Sequence, residues 1–378
     1  MYLGAMLIGM VLVSVPASSA YLKSLHGLSD QQYGRVFLPQ LVCAIAGALL
    51  AGPAVRRWSL KAMFMAALAC FALSELALAS SASVDAGTAV ALVMVSTGLF
   101  GFGFGFGGGP LNGLVANLVP ARPAAAITAL HLMAGLGLMV GPLFFRTFEA
   151  AALWSLAPWA LVSVSMLLFA IGAFLLDAWL PPLATTPGAA PSGSGYFRLM
   201  LAIAFFYAVV EGAFSNWAVL YVSGEKRQSA DVAATALSIF WGGLTVGRLL
   251  VTVLVSRIAA SALWVALPGM MVVVFLLLPR AGGPAALWLG YAAAGLACSG
   301  FFPLMVALAA RPFPAHVSWI ASMLTASLML GVGTGAYAIG ALLEGMPMSR
   351  LYPYLAVVPV VTLLLMIVAR RIEPRLAT

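Results

Sequence analysis

Long apolar runs without charge constrain this chain more than any motif does. Between Thr88 and Val119 the sequence has no Asp, Glu, Lys or Arg. A run of that length is too long for an ordinary strand, but as a helix it can cross ~30 Å of hydrocarbon. Charged residues make up 7% of the 378-residue sequence and hydrophobic residues 63%, whereas soluble domains carry roughly 25% charged residues. The chain is therefore predicted to be an integral membrane protein.

Twelve apolar segments, each long enough to span a bilayer, remain when the sequence is cut at its charges, prolines and glycines. The predicted spans are 2–22, 35–55, 61–80, 88–119, 124–146, 152–179, 197–222, 233–256, 260–279, 284–309, 316–343 and 350–370. One long polar break, PPLATTPGAAPSGSG at 181–195, is typical of a flexible linker. We therefore predict an all-α membrane protein with twelve transmembrane helices, arranged as six-helix bundles at 1–180 and 197–378 around a cytoplasmic linker at 181–196.

The two halves share short sequence patterns, which indicates an internal repeat. LMAGLG at 132–137 recurs as LMLGVG at 328–333, and the pair Gly47 and Arg57 is matched by Gly247 and Arg257. Both matches are offset by about half the chain. Together with the central linker they predict two pseudo-symmetric bundles related by an axis along the membrane normal.

The stretch GFGFGFGGG at 101–109 alternates with a period of two, which taken alone would suggest a strand. Inside an apolar run it is better explained as a helix, because a period of two also repeats at four. Gly101, Gly105 and Gly109 then share one face and let a neighbouring helix approach closely. No Lys followed by Ser or Thr comes after the glycines, so a phosphate-binding loop is not indicated.

Charge and cysteine usage exclude several classes of protein and site. The net charge of +8 comes from basic residues scattered between apolar runs, which is typical of membrane loops and not of a nucleic-acid surface. With the N-terminus inside, ten Lys and Arg lie in cytoplasmic segments and seven outside. This bias predicts a multi-pass inner (plasma) membrane protein with both termini in the cytoplasm. Three widely spaced cysteines indicate neither a disulfide framework nor a metal site, and no cofactor is expected.

The loop GPAVRRWSLK at 52–61, between the second and third of twelve helices, resembles the major facilitator superfamily. Arg56 replaces the acid and Ser59 the second glycine of that family's loop. FFYAVVEGAFSNWAVLYV at 205–222 and FWGGLTVGRLL at 240–250 are similar to the fucose permease-like branch. The resemblance implies symport of a sugar or related solute with H⁺ or Na⁺, by a monomer in the lipid bilayer. The acids that sugar symporters can carry in helices one and four are missing here.

Glu211 is the principal candidate for the coupling site. It lies in the middle of the seventh span, where a charged side chain costs at least ~2.5 kcal/mol, and an acid placed there is by default a functional hypothesis. Tyr207 and Ser215 share its helical face, with Asn216 and Trp217 close by. This polar stripe ending in an aromatic ring suits a polyol. The alternative is that Glu211 only bonds another helix.

The remaining candidates are assigned to substrate contact or to gating. Asn112, His131 and Gln40 lie within spans and could contact a solute, or could hydrogen-bond neighbouring helices. Arg248, in the GR pair of helix eight, is assigned to gating or anchoring, together with the residues Arg56, Arg57, Gly101, Gly105 and Gly109. Glu75, in the third span, is interpreted as a structural hydrogen-bonding group.

Three other functions are weighed against solute import. GLMVGP at 137–142 partly resembles a motif of antiporters, which would make the chain an exporter of small amphiphilic or toxic compounds. The 18 methionines could bind copper, although methionine is also an ordinary core residue. An enzyme is not expected, because no nucleophile–base pair or metal triad is visible.

Overall fold

The computed structural model describes residues 1–55, 57–119, 121–175, 191–313 and 316–372, and within these ranges it contains helices and no strand. Eleven described helices are long and apolar enough to cross a membrane, and a bent pair at the N-terminus makes twelve. They are α1 (Tyr2–Ala17 and Ser19–His26, bent by 43°), α2 (Asp30–Ala54), α3 (Leu60–Ser81), α4 (Ala86–Leu118), α5 (Pro123–Ala150), α6 (Leu156–Leu175), α7 (Gly195–Ser215), α8 (Ala230–Leu254), α9 (Ala260–Arg280), α10 (Pro284–Ala310), α11 (Val317–Leu343) and α12 (Met348–Ile372).

The predicted all-α fold with twelve spans is confirmed, and most predicted boundaries lie within a few residues of the helix ends. The seventh span is shorter than predicted, since α7 ends at Ser215 and the chain continues through a short turn into a π-helical segment, Tyr221–Glu225. Tyr33 of α2 donates to the carbonyl of Asn216 at 2.8 Å, which takes up a helix-end acceptor at this break. Residues 181–190 of the predicted linker lie outside the described residues.

Hydrogen-bonded caps explain where many spans begin. Before α3, α4, α7 and α8, the side chains of Ser59, Asp85, Ser194 and Ser229 accept from the backbone N–H three residues later. Such caps satisfy a donor that the first helical turn leaves unpaired. Hydrogen bonds from the Thr88 hydroxyl and backbone lower the pKa of the exposed Asp85 carboxyl. These polar residues therefore mark the boundaries between loop and membrane helix.

One pair of glycines at equivalent positions of the two halves makes equivalent contacts. Gly47 of α2 packs on the backbone of α4 at Phe102, and Gly247 of α8 packs on α10 at Ser299. In the repeated motif the contacts differ, because Gly137 packs on α1 whereas its counterpart Gly333 packs on α2. A side chain at Gly47 or Gly247 would overlap neighbouring atoms, so this first pair reflects the same close helix packing in both halves.

The glycine-rich segment of α4 is helical and has two packed faces. Added Cβ atoms at Gly101 and Gly105 would overlap the carbonyl oxygens of Gln40 and Ala44 in α2. Gly103 and Gly107 face α3 on the other side. Gly109 does not belong to the contact with α2, since an added Cβ there would meet nothing within 4 Å. The expected three-glycine face therefore has two members, because α2 and α4 have separated by this point.

Polar contacts between the two halves lie at one end of the molecule. We call the end where α7 begins the linker face and the opposite end the far face. The hydrogen bonds between the halves that start from Gln31, Tyr33, Arg146 and Ser238 all lie in the far-face part of their helices. Arg146 at the end of α5 pairs with Asp231 at the start of α8, with 2.7 Å between Nε and Oδ1. At the same end the backbone N–H of Gln31 donates to Glu344 and lowers the pKa of that carboxyl. The polar contacts between the halves are therefore concentrated at the far face, beside a cavity of about 540 Å³ that both halves line.

Candidate functional site

Tyr207 and Glu211 form the centre of a polar site in the second half of α7. Tyr207 Oη lies 2.5 Å from Glu211 Oε2 and 2.9 Å from the carbonyl oxygen of Cys298 in α10. The Tyr207 ring stacks on Phe301, with centroids 4.5 Å apart and planes 12° from parallel. Tyr207 is 1% exposed, whereas Glu211 retains accessible surface. The phenol is thus fixed by the carboxyl, the carbonyl and the stacked ring, and Glu211 is the residue of the pair that retains accessible surface.

A break in α10 provides the carbonyl that Tyr207 contacts. The helix is interrupted at Gly300, between Pro284–Ser299 and Phe301–Ala310. Pro303 follows directly and has no N–H to donate, and carbonyls at a helix end have no partner within the helix. The Tyr207 hydroxyl makes up for one of these missing bonds at Cys298. The break therefore positions an acceptor beside a mid-membrane acid.

The two short contacts of Tyr207 limit the protonation state of Glu211. A phenol has one O–H hydrogen, and a carbonyl oxygen can only accept. If Tyr207 donates to Cys298, the contact with Glu211 is a hydrogen bond only when the carboxyl is protonated and donates to Tyr207 Oη. If Glu211 is ionised, the phenol can donate its one hydrogen to the carboxylate or to the carbonyl, but not to both. The geometry therefore suits a carboxylic acid that changes its partner when it loses a proton.

Arg248 and His131 extend the site across the space between the halves. The charge of Arg248 in α8 acts on both the Glu211 carboxyl and the ring of His131 in α5. The His131 side chain is exposed although its helix crosses the membrane. Arg248 Nε has no hydrogen-bond partner among the described residues. A carboxyl, a guanidinium and a histidine from both halves therefore lie within electrostatic range of one another.

The polar stripe predicted after Glu211 is largely enclosed. Ser215 donates to the carbonyl of Glu211 in its own helix at 2.9 Å. Asn216 and Trp217 are 6% and 1% exposed, and the Trp217 ring meets Tyr33 edge-on at 5.1 Å between centroids. Trp217 is therefore almost fully buried, and the cavity that it lines, with Lys23 and Asp30, lies at the far face.

Two further predicted substrate residues lie apart from this group. Gln40 is 6% exposed and lines a small cavity within the N-terminal half. Asn112 donates to the carbonyl of Gly108 in its own helix, and its Oδ1 is buried without a partner among the described residues. The structure thus brings Tyr207, Glu211 and His131 together with Arg248, and it does not bring Gln40 to them.

The predicted gating residues are spread over α2, α4 and α8. Arg57 is exposed at the end of α2, and no ion pair of its side chain is seen within the described ranges. Arg56 lies outside the described residues. Arg248 had been assigned to gating or anchoring, and its electrostatic reach to Glu211 places it beside the polar site as well.

Sequence reasoning missed the carbonyl of Cys298 and the stacking ring of Phe301. A signal for both was present, since Gly300 and Pro303 interrupt the apolar run of the tenth span. Interrupted helices are a recognised pointer to binding sites in transporters. Reading the interruption in helix ten beside the acid in helix seven would have located the pair.

The chain resembles known proteins in its three-dimensional structure but not in its sequence. No protein-family model matches the chain, and no curated protein matches it. The structure of a D-xylose–proton symporter superposes with a TM-score of 0.80 at 17% identity, over 97% of this chain and 95% of that one. The nucleoside transporter NupG superposes with a TM-score of 0.75 at 14% identity, over 97% of this chain and 99% of that one. The E. coli fucose:proton symporter FucP superposes with a TM-score of 0.63 at 17% identity, over 99% of this chain and 97% of that one. The chain therefore has the major facilitator fold along almost its whole length.

Proposed function

We propose that this chain is a secondary transporter that moves a sugar or a related small polar solute by alternating access, with Glu211 as its proton-coupling site. The fold it shares with the D-xylose, fucose and nucleoside transporters supports the transporter class. The contact of Tyr207 with both Glu211 and Cys298 supports the proposal that Glu211 couples transport to protons. A carboxyl held in this way exchanges partners when its proton leaves, which links protonation to the packing of α7 against α10.

The arrangement of the halves supports alternating access. Contacts such as Arg146–Asp231 join the halves at the far face, while Glu211 and His131 retain accessible surface. If the linker face is cytoplasmic, as the distribution of Lys and Arg predicts, this is the inward-facing state. In the outward-facing state the contacts at the far face must separate, and Trp217 would then become accessible to a solute.

Reconstitution in liposomes tests the proposed function directly. Purified protein is given radiolabelled pentoses, hexoses, nucleosides, carboxylates and cationic dyes, under an imposed proton gradient or an imposed sodium gradient. We expect uptake of one neutral polyol class, driven by an inward proton gradient and abolished by a protonophore. Uptake that requires sodium would show that Na⁺, and not H⁺, is the coupling ion. Transport of dyes alone, in exchange for protons, would make the chain an exporter.

Thiol labelling in whole cells tests the proposed orientation. We expect Ser223→Cys, on the far face, to react with an impermeant maleimide, and Ser192→Cys, just before α7, to react only after the membrane is permeabilised. Both variants are made with Cys43, Cys70 and Cys298 replaced by alanine. The opposite pattern, with Ser192→Cys labelled in intact cells, would invert the topology.

A further inference from the structure

A small polar cavity lies beside the bend of α1, within the N-terminal half and away from Glu211. Its volume is about 10 Å³, which is close to the space that one water molecule requires. Its lining includes Gln40 of α2, Ser74 of α3 and Thr97 of α4. Leu12 and Pro16 of α1 also line it. Because Pro16 has no N–H, the carbonyl of Leu12 lacks its usual partner within the helix.

The hydroxyl groups around this cavity are arranged to accept hydrogen bonds. Ser14 donates to the carbonyl of Val11 at 2.9 Å, and Ser74 donates to that of Ser96 at 2.8 Å. Thr97 donates to the carbonyl of Val36 at 2.5 Å. Since each hydroxyl has only one hydrogen, its lone pairs remain free to accept. The cavity thus offers acceptors to a water molecule or to another proton donor.

Glu75 lies next to this cluster and is fully buried. Its exposed fraction is 0%, and both carboxyl oxygens lack a hydrogen-bond partner among the described residues. The polar side chain that faces the carboxyl is Ser14, which also lines the cavity. Since Ser14 belongs to α1, the side chain within reach of the Glu75 carboxyl comes from another helix.

Charged groups that could balance an ionised Glu75 are distant from it. The described residues of α4 and α6, which pack against α3, contain no titratable side chain. The titratable groups of α1 and α3 lie elsewhere along those helices: Tyr2, Tyr21, Lys23, His26, Lys61 and Cys70. A buried carboxylate with no cation beside it costs several kcal/mol. Glu75 therefore carries a proton in this state.

We propose that Glu75 is a second proton-binding site, which exchanges its proton through Ser14 and a water molecule held in the cavity beside Pro16. In the exchange the O–H bond of Glu75 breaks and Ser14 Oγ accepts that proton. Ser14 gives its own hydrogen to the cavity water instead of to Val11, and the water passes a proton on to the aqueous side. The carboxylate regains a proton by the reverse route. This proposal rests on the proposed function only where it concerns transport; the protonation of Glu75 stands apart from it.

Infrared spectroscopy of the whole protein in liposomes, without solute, tests this protonation. We expect the wild type to show the C=O stretch of a buried carboxylic acid at neutral pH, and Glu75→Gln to lose that band. Glu211→Gln serves as the matched control and keeps it. If Glu75→Gln does not fold, Glu75→Asp is expected to shift the band. A Glu75→Gln spectrum identical to that of the wild type, or an unshifted band in Glu75→Asp, would overturn the site.

Exchange from H₂O into D₂O tests the route. We expect the Glu75 band to shift about tenfold more slowly in Ser14→Ala, the size of effect that the loss of one hydrogen bond gives. Ser165→Ala is the control, because Ser165 is also fully buried and donates to its own helix at Leu161. Equal exchange rates in Ser14→Ala and the wild type would exclude the route through Ser14.

The number of protons per solute, measured from reversal potentials, tests the role in transport. We expect Glu75→Gln to lower this number by one. An unchanged number would make Glu75 a permanently protonated structural group. If the wild type carried no solute at all, the proposed function would fail while the infrared result would still stand.

Discussion

Glu211→Gln is expected to bind solute and exchange it across the membrane, but to lose accumulation against a gradient. Glutamine has the size of a protonated glutamic acid and can donate to Tyr207 Oη, so it imitates one of the two states and cannot reach the other. One unit of pH gradient is ~1.4 kcal/mol, or about tenfold accumulation for each coupled proton. At a gradient of one pH unit we therefore expect the accumulation ratio to fall about tenfold, because the proton carried by Glu211 is lost, with counterflow retained.

Three comparison variants separate coupling from binding and folding. Glu211→Ala should lose counterflow as well, because it removes the group that bonds Tyr207. Tyr207→Phe should keep binding but change the pH dependence of uptake, since the partner that Glu211 exchanges is gone. Asp85→Asn neutralises a carboxyl that only caps α4, where asparagine caps equally well, and should transport like the wild type. Full gradient-driven accumulation by Glu211→Gln would remove Glu211 from the coupling mechanism.

Gly105→Val is expected to reduce transport by at least tenfold. A Cβ at Gly105 would overlap the carbonyl oxygen of Ala44 and lie 2.9 Å from the backbone nitrogen of Ala48. Backbone atoms cannot move aside as a flexible side chain can, so α2 and α4 must separate. Because α2 also contacts α11 of the other half at Gly333, a displaced α2 changes the surface on which the halves meet. The measurement is initial uptake, normalised to protein in the membrane.

The same glycine-rich segment supplies the control for this prediction. Gly109→Val places the same side chain four residues later, where an added Cβ would meet nothing within 4 Å. We expect near wild-type uptake from Gly109→Val at equal expression. Equal loss in both variants would show that helix flexibility is what the glycines provide. Equal retention would show that the α2–α4 contact does not limit transport.

The fold class and the number of spans follow from the amino-acid sequence alone. Hydrophobicity and the absence of charge are properties of a single segment, and a helix must satisfy its backbone hydrogen bonds within that segment to cross a bilayer. For the same reason the boundaries could be predicted to within a few residues, since residues such as Ser59 and Asp85 cap their helices locally. Glu211 could also be singled out, because a mid-membrane acid is costly wherever it lies.

Only the tertiary structure decided what each polar residue contacts. Trp217 and Gln40 have sequence contexts as suggestive as that of Tyr207, yet one is covered by Tyr33 and the other lies inside the N-terminal half. The acceptor at Cys298 belongs to a helix 91 residues further along the chain from Tyr207. Helix packing brings such distant residues together through glycine contacts and helix breaks, and no periodicity within one span encodes which helix will be its neighbour. The partners of a membrane acid are therefore set by packing between helices, whereas its depth in the membrane is set by its own helix.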